Sequence, residues 1–415
     1  FYLRRLSFNP SFSKQLVMIP VQEALQHILS RTGQPEIVNL PLAEAYGHIL
    51  AEPLVADRDF PPFDRVTMDG IAIRYADYAA GMRHFDVTGV GAAGSPQIEM
   101  GPSGTCVEIM TGAMCPAGAD CIIRYEDVTF ENETASLRKE AKVREGQNIH
   151  RQGSDRPQGA TVVAPGQRIA APEIGVAATV GKATLAVKRM PTAVVISSGD
   201  ELVPITETPR AFQIRKSNIH RIQAILAGWG IASEAAHLLD EADQMRETLR
   251  GLLERHQMVI ISGGVSKGKF DFMPQVLTDL GVEKHFHKIR QRPGKPFWFG
   301  TTPTGTAVFA LPGNPVSSFM CTLRYIQPWV EASLGQVPTE RYAVLGRDIE
   351  FRPELTYFAQ VALRSEADGR LMAYPVEGHG SGDLANLVDA DAFIELPEGK
   401  DVYKAGEVYR VFGFR

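Results

Sequence analysis

The chain has 415 residues, long enough for roughly three domains with full-sized cores. Its 44% hydrophobic and 22% charged composition is that of an ordinary water-soluble globular protein. A net charge of -5 argues against a nucleic-acid binder, and no apolar run approaches the ~20 residues needed to span a bilayer.

The four cysteines (Cys106, Cys115, Cys121, Cys321) lack CxxC spacing and a histidine in zinc-finger register. They read as reduced, buried thiols, with the cytoplasm as the expected compartment. The opening FYLRRLSFNPSFSK is basic and aromatic without a continuous apolar stretch, so it reads as an extension ahead of the fold and a poor secretory signal.

Val21, Leu25, Ile28 and Leu29 sit at helical spacing behind Pro20, and a second short helix is expected over Leu42–Leu50. Asp59 to Gly70 (DFPPFDRVTMDG) is loop-like and ends in an Asp-Gly turn signal. From Phe85 to about Val143 the runs are short, β-rich and punctuated by glycine and proline, as in a small all-β domain. A helix returns over Ala171–Gly181, and the early helices are expected to pack with it.

Beyond Pro191 strands alternate with helices: Ala193–Ile196, Asn218–Gly228, Glu234–Leu239, Met245–His256, Met258–Ile261, Phe272–Leu280, Ala307–Leu311 and Val316–Val330. That alternation predicts a mostly parallel, doubly wound sheet with right-handed crossovers. The C-terminal part is β again, with a hairpin through Asp368-Gly369, and predicts a small barrel or sandwich.

Overall the fold class is multidomain α/β, with an inserted β-rich domain, a helical linker domain and a C-terminal small β-barrel. The expected boundaries are 18–60 plus 151–187 for the linker, 61–150 for the insertion, 188–334 for the α/β domain and 335–415 for the barrel.

Three strands of the α/β domain end in loops that pair glycine with polar or charged groups: SSGDEL, SGGVSKGKFD and LPGNPVS. A fourth ends in Asp240. In an open α/β sheet such loops share one edge, where ligands bind. The backbone around Gly263-Gly264 and Gly313-Asn314 can approach an anion closely.

Asp200, Glu201, Asp240 and Asp271 converge there as hard oxygen donors suited to Mg²⁺ beside a phosphate. The plainer reading makes Glu201 and Asp240 helix caps. The run KHFHKIRQRPGK holds Lys284, Lys288, Arg290, Arg292 and Lys295 without an acid. If it is a strand, Lys288, Arg290 and Arg292 share a face and Pro293-Gly294 turns Lys295 toward the same cleft. Otherwise it is an edge strand blunted by charge. His285 and His287 read as structural. Ser197, Ser198, Ser262 and Ser266 have no histidine at an informative spacing, so serine nucleophile chemistry is not expected. Neither GxGxxG nor GxxxxGK[ST] occurs.

SGGVSKGKFD, KPFWFG and LPGNPVS, in that order and spacing, closely resemble the molybdopterin-biosynthesis domain. FPPFDRVTMDGIA, IMTGA, GQNIHRQGSD and SSGDEL resemble the rest of the molybdopterin molybdenumtransferase family, the MoeA proteins and the matching part of gephyrin. The resemblance runs from about Met18 to the C-terminus.

It implies an enzyme that inserts molybdenum from molybdate into adenylylated molybdopterin with loss of AMP. It also implies an elongated homodimer, each site lying between the central domain of one subunit and the β domain of the other, and contact with the preceding adenylyltransferase. On the family's motifs fall Asp69, Thr111, Asp155 and Glu201, with Asp240 and Asp271 on the sheet-edge acids. Lys288, Arg292 and Lys295 fall on its basic run, and Pro312 and Pro315 flank the PGNP turn. With Ser266, Gly263, Gly264, Gly313 and Asn314 they make the expected substrate cradle, and Glu201, Asp240 and Asp271 the expected Mg²⁺ ligands.

Two positions depart from the family: Lys216 and Lys269 stand where an acid is frequent. The competing readings are a molybdopterin adenylyltransferase, which shares the central domain, and a non-catalytic molybdopterin-binding or scaffold protein.

Overall fold

The computed structural model describes residues 18–239, 241–264, 272–338, 340–378 and 380–415. It divides into two compact units, one of residues 39–187 and one that unites the chain before them with residues 188–415. Asp240, Ser266, Lys269 and Asp271 lie outside the described residues.

The larger unit is built on a six-stranded sheet in the order Ser233–Leu238, Ala193–Ser198, Met258–Ser262, Ala307–Leu311, Trp298–Thr301, Glu283–His287. The first four are parallel, and Trp298–Thr301 pairs antiparallel with both Ala307–Leu311 and Glu283–His287. Met258–Ser262 and Ala307–Leu311 are buried at every position, as expected of strands covered on both faces. Helix Ala242–Arg255 turns Met245, Leu249, Leu252 and Leu253 onto that sheet, beside Met273, Val276 and Leu277 of helix Met273–Asp279.

The register sets Ser198 opposite Leu238, Ser197 opposite Ser262 and Ser262 opposite Leu311. The three glycine loops therefore leave the sheet side by side. The helix after the fourth parallel strand runs Pro315–Cys321, widens to a π segment over Thr322–Ile326, and resumes over Gln327–Ser333. The widening sits one turn ahead of Pro328, which has no N–H to offer a regular ladder.

The C-terminal strands close on themselves. Thr356–Ser365 pairs with both Leu371–Pro375 and Ala392–Leu396, and the circle completes through Arg341–Leu345 and Val408–Gly413. Closure removes the free edges that an open sheet would expose. The barrel is tied to the π segment by Arg324, which is 1% exposed, donates from Nε and Nη2 to Glu395 at 3.1 and 3.3 Å, and lies over the Tyr325 and Phe412 rings.

Helix Val21–Leu29 buries Val21, Ala24, Leu25 and Ile28, the spacing of one helical face. It packs in the larger unit, not with helix Ala171–Thr179 as its sequence suggested. Arg31 explains the choice. Its carbonyl accepts from Trp329 Nε1 at 3.1 Å, and its Nε donates to His285 Nε2 at 2.9 Å. His285 is thus structural, as expected, and must be neutral to accept.

Burial, with Arg31 second, holds His285 below its usual value of 6.5. A folded pKa below the unfolded one means that this stability is present above pH 6.5 and is lost as pH falls through the folded value. His285→Gln should therefore shrink the drop in urea midpoint between pH 7.5 and 5.5; an unchanged drop would exclude this histidine as a cause.

In the smaller unit a six-stranded sheet runs in the order Cys121–Arg124, Gly70–Ile73, Thr105–Ile109, His84–Gly91, Thr134–Leu137, Val128–Glu131. Cys106, Cys115 and Cys121 are buried and in no disulfide, with thiols pushed up to about 12, 11 and 12 mainly by desolvation. Cys321, in the larger unit, is also free and buried.

The helix expected over Leu42–Leu50 is a 3-10 turn at Leu42–Glu44 followed by strand Ile49–Leu50. Gly47, at φ +82, breaks the helical path, and the Ile-Leu pair joins a sheet with Thr184–Lys188 and Ile37–Pro41. Gly70 opens a strand rather than completing a turn. A Cβ on it would overlap the Ile123 carbonyl, so only glycine permits the close strand approach.

Candidate functional site

At the carboxyl edge of the parallel strands lies a cavity of about 530 Å³, lined by Ser197–Gly199, Glu201, Arg215–Asn218, Ser262–Gly264, Pro296 and Pro312–Pro315. Its floor is backbone packed on backbone. Gly263 N donates to Leu311 O at 3.1 Å, and a Cβ on Gly313 would meet Gly263 Cα at 3.6 Å. Gly263 has φ +105 and Gly264 φ +71, conformations that glycine adopts freely. The structure thus brings Gly263, Gly264, Pro312, Gly313, Asn314, Pro315 and Glu201 together.

Glu201 is no helix cap. Strand Leu202–Val203 follows it, and its carboxylate folds back over Gly199, where a Cβ would touch it. The N-terminus of helix Ser217–Gly228 opens on the same cavity without a side-chain cap. Lys216 stands at that end, its ammonium held below the usual value by burial while Glu207 opposes the shift.

A second cavity of about 660 Å³ adjoins the first, sharing Pro296, Pro312 and Asn314. It lies between the sheet-edge loops and the barrel, and its lining includes Arg292, Gly294, Lys295, Tyr357, Gln360 and Ser381. The PGNP turn reaches the barrel side through Asn314 Nδ2, which donates to Ser381 Oγ at 2.9 Å.

The basic run is not one strand. Glu283–His287 is a strand, but Lys288 turns at φ +92, and Gln291–Arg292 pairs in parallel with Thr356–Tyr357 of the barrel. The shared face expected for Lys288, Arg290 and Arg292 is therefore broken. Lys288 lines neither cavity, and Arg290 pairs with Glu398 at 2.8 Å. Arg292 and Lys295 do reach the second cavity.

They are set by Gln291, 1% exposed, whose Nε2 donates to Gly294 O at 3.0 Å and whose Oε1 accepts from the buried Tyr325 hydroxyl. Gly294, at φ +88, has Cys321 Sγ and Gln291 Nε2 where a Cβ would go. This tight turn carries the two cations.

The polar loops of the smaller unit gather the other expected residues. Asp69 Oδ1 accepts from both the N–H and the hydroxyl of Thr111, at 2.6 and 2.7 Å, and these bonds hold its carboxyl below the usual range. Asp155 Oδ1 lies 2.9 Å from His150 Nε2, whose Nδ1 faces Arg65 Nη2 at 3.2 Å. Because the guanidinium can only donate, the ring is the Nε2–H tautomer and donates to Asp155. Strand Arg65–Val66 holds these groups near one another: it pairs with Ile149–His150 and exchanges backbone bonds with Gly112 and Ala113.

The sequence reading missed Asn218, Arg221 and His150. No spacing marks them: Asn218 reaches Gly313, Arg221 reaches Pro315 and His150 faces Arg65 across 85 to 95 residues. It also discounted histidine near the serines, whereas His237 Nδ1 lies 3.0 Å from Ser197 Oγ. Parallel register puts them opposite each other. Ser197 is 2% exposed, so this contact binds two strands together and offers no accessible nucleophile. Among the described residues no group of three His, Cys, Asp or Glu side chains could hold a metal ion. Among the described residues no helix is long and apolar enough to cross a membrane.

Three family models cover most of the chain: the MoeA N-terminal region (domain I and II) over residues 19–181, a probable molybdopterin binding domain over 194–332, and the MoeA C-terminal region (domain IV) over 342–412. The molybdopterin molybdenumtransferase of Synechocystis is 35% identical over 399 residues, covering 96% of this chain and 100% of that protein. That of Bacillus subtilis is 31% identical over 409 residues, covering 96% and 94%. The crystal structure of the molybdopterin biosynthesis MoeA protein from Pyrococcus horikoshii superposes with a TM-score of 0.81 at 28% identity, over 96% of this chain and 100% of that one. With motifs, architecture and full-length similarity in agreement, the chain belongs to the molybdopterin molybdenumtransferase family.

Proposed function

We propose that this chain inserts molybdenum from molybdate into adenylylated molybdopterin and releases AMP. The observation that carries the reading is the pair of adjoining cavities at the carboxyl edge of the parallel sheet, one floored by glycine backbone and the other bearing Arg292 and Lys295. The first suits a phosphate-bearing pterin approached by main-chain N–H groups. The second suits a tetrahedral oxyanion, with a guanidinium fork and an ammonium point charge on one turn. Sharing Pro296, Pro312 and Asn314, the cavities hold the two reactants side by side, which lowers the entropic cost of bringing them together.

Of the proposed Mg²⁺ ligands, Glu201 is the one among the described residues, and it lies on the first cavity. One carboxylate beside a pyrophosphate fits this ion, which commonly keeps several waters. When bound, Mg²⁺ would neutralise charge developing on the phosphoanhydride. Lys216 and Arg215 on the same wall add positive charge toward the anionic substrate. Asp69, oriented by Thr111, and Asp155, oriented by His150, complete the site from a partner subunit in a cytoplasmic homodimer. The adenylyltransferase that makes the substrate is a natural contact.

The test is direct. Enzyme with adenylylated molybdopterin should release AMP on addition of molybdate, and Lys295→Ala or Arg292→Ala should raise the KM for molybdate on the order of tenfold or more. No molybdate-dependent AMP from wild-type protein would defeat the proposal. Adenylylated product from molybdopterin and Mg-ATP alone would make the protein an adenylyltransferase instead.

A further inference from the structure

Arg221 is a guanidinium in a place where charge is costly. It lies one turn into helix Ser217–Gly228, its buried Nε and Nη1 have no hydrogen-bond partner among the described residues, and desolvation pushes it down to about 10. Among the described residues no carboxylate lies within ion-pair distance of it. Everything it does hydrogen-bond belongs to the wall of the first cavity or its support. Nη2, with two hydrogens and so one of them shared, donates to Pro315 O at 2.7 Å, Asn218 Oδ1 at 2.9 Å and Ser318 Oγ at 3.0 Å.

Asn218 carries the contact onward. With its Oδ1 facing Arg221, its Nδ2 faces the loops, donating to Gly313 O at 2.7 Å and Ser262 Oγ at 2.9 Å. One amide thus joins the ends of the strands Met258–Ser262 and Ala307–Leu311, whose glycines form the cavity floor. An amide turned by half a circle would set its oxygen against the Gly313 carbonyl, an acceptor against an acceptor. Arg221 prevents this, because a guanidinium can only donate and so selects the oxygen. The same group pins the Pro315 carbonyl on the far side of the PGNP turn.

We infer that Arg221 is a positioning residue that acts through Asn218 to hold the Gly263 and Gly313 loops in their substrate-accepting arrangement. The inference rests on the proposed function, since it concerns the same cavity. It also accounts for a desolvated cation that lies over the Phe319 ring at 5.2 Å and has no carboxylate partner among the described residues: a guanidinium that served stability alone would be better placed beside a carboxylate or in water.

The test is a double-mutant cycle on the full-length protein, read as molybdate-dependent AMP release with adenylylated molybdopterin varied. Wild-type turnover is measured first, and its absence would defeat the proposed function and not this inference. Arg221→Met should raise the KM for adenylylated molybdopterin about tenfold while kcat stays within about twofold, the pattern of lost ground-state binding. Asn218→Ala should do the same. The double variant should be no worse than the worse single variant, because both changes remove one linkage. Arg221→Lys, which keeps a donor for Asn218, should restore part of the affinity.

Thermal melting separates folding from positioning: each variant should keep a single cooperative transition near the wild-type temperature. Three results overturn the inference: an unchanged KM in Arg221→Met, KM effects that multiply in the double variant, or a lowered melting temperature with KM intact.

Discussion

Gly263→Ala should cost at least about 100-fold in kcat/KM, the scale of effect expected when a binding loop is displaced by about 1 Å. A Cβ at this position would stand 2.7 Å from the Ser198 carbonyl oxygen, on backbone that cannot swing aside as a side chain can. The residue also holds φ +105, which disfavours any L side chain by about 1–2 kcal/mol before the clash is counted. The loop must move, and with it the glycine backbone that floors the cavity. Gly281 is the control. It has φ +81 but open space where a Cβ would go, so Gly281→Ala should lose about 1 kcal/mol of stability and keep its turnover. Steady-state kinetics and urea unfolding on both variants measure the two effects, and equal activities would refute the close-approach account.

The second large effect belongs to Arg324 and Glu395. Arg324 is 1% exposed and Glu395's side chain 17%, and their bond joins the π segment of the central domain to the barrel. Breaking one half leaves a poorly solvated charge, so Arg324→Met or Glu395→Leu alone should each destabilise by about 3–5 kcal/mol. The double replacement should recover most of that loss, since apolar side chains of similar volume can fill a buried ion-pair site. The readout is the urea midpoint. If the double variant were as unstable as the two single losses added together, the cost would lie in packing rather than in stranded charge. Because the second cavity lies between these same two layers, the single variants should also bind molybdate less tightly.

Much of the candidate site is legible in the sequence. SSGDEL, SGGVSKGKFD and LPGNPVS announce themselves because a β-branched run followed by glycine is a local signal. The parallel alternation then puts such loops at one edge. Asp69 and Thr111, 42 residues apart, were picked out separately by motif, and the structure joins them by two hydrogen bonds. The shared face conditional on a continuous strand in the basic run is not met, for a physical reason. Alternation assumes continuous extended backbone, and Lys288 at φ +92 ends that assumption one residue after the strand. Arg290 then goes to Glu398, leaving Arg292 and Lys295 as the cations of the cavity.

The helix expected over Leu42–Leu50 failed similarly. Its apolar spacing was compatible with either state, and the neighbouring strand Thr184–Lys188, more than a hundred residues away, decided between them.

What the sequence by itself determined is the set of elements and the chemistry of their ends: which runs are buried strands, where glycine permits a ligand to approach, and which family these motifs resemble. Tertiary structure alone decided which of those groups meet. Asn218 with Gly313, Arg221 with Pro315, Gln291 with Tyr325 and Arg324 with Glu395 are contacts across 34 to 95 residues. Periodicity reports only what neighbours along the chain share. A buried donor finds its acceptor wherever the packed fold has left one unpaired, and that choice is made in three dimensions.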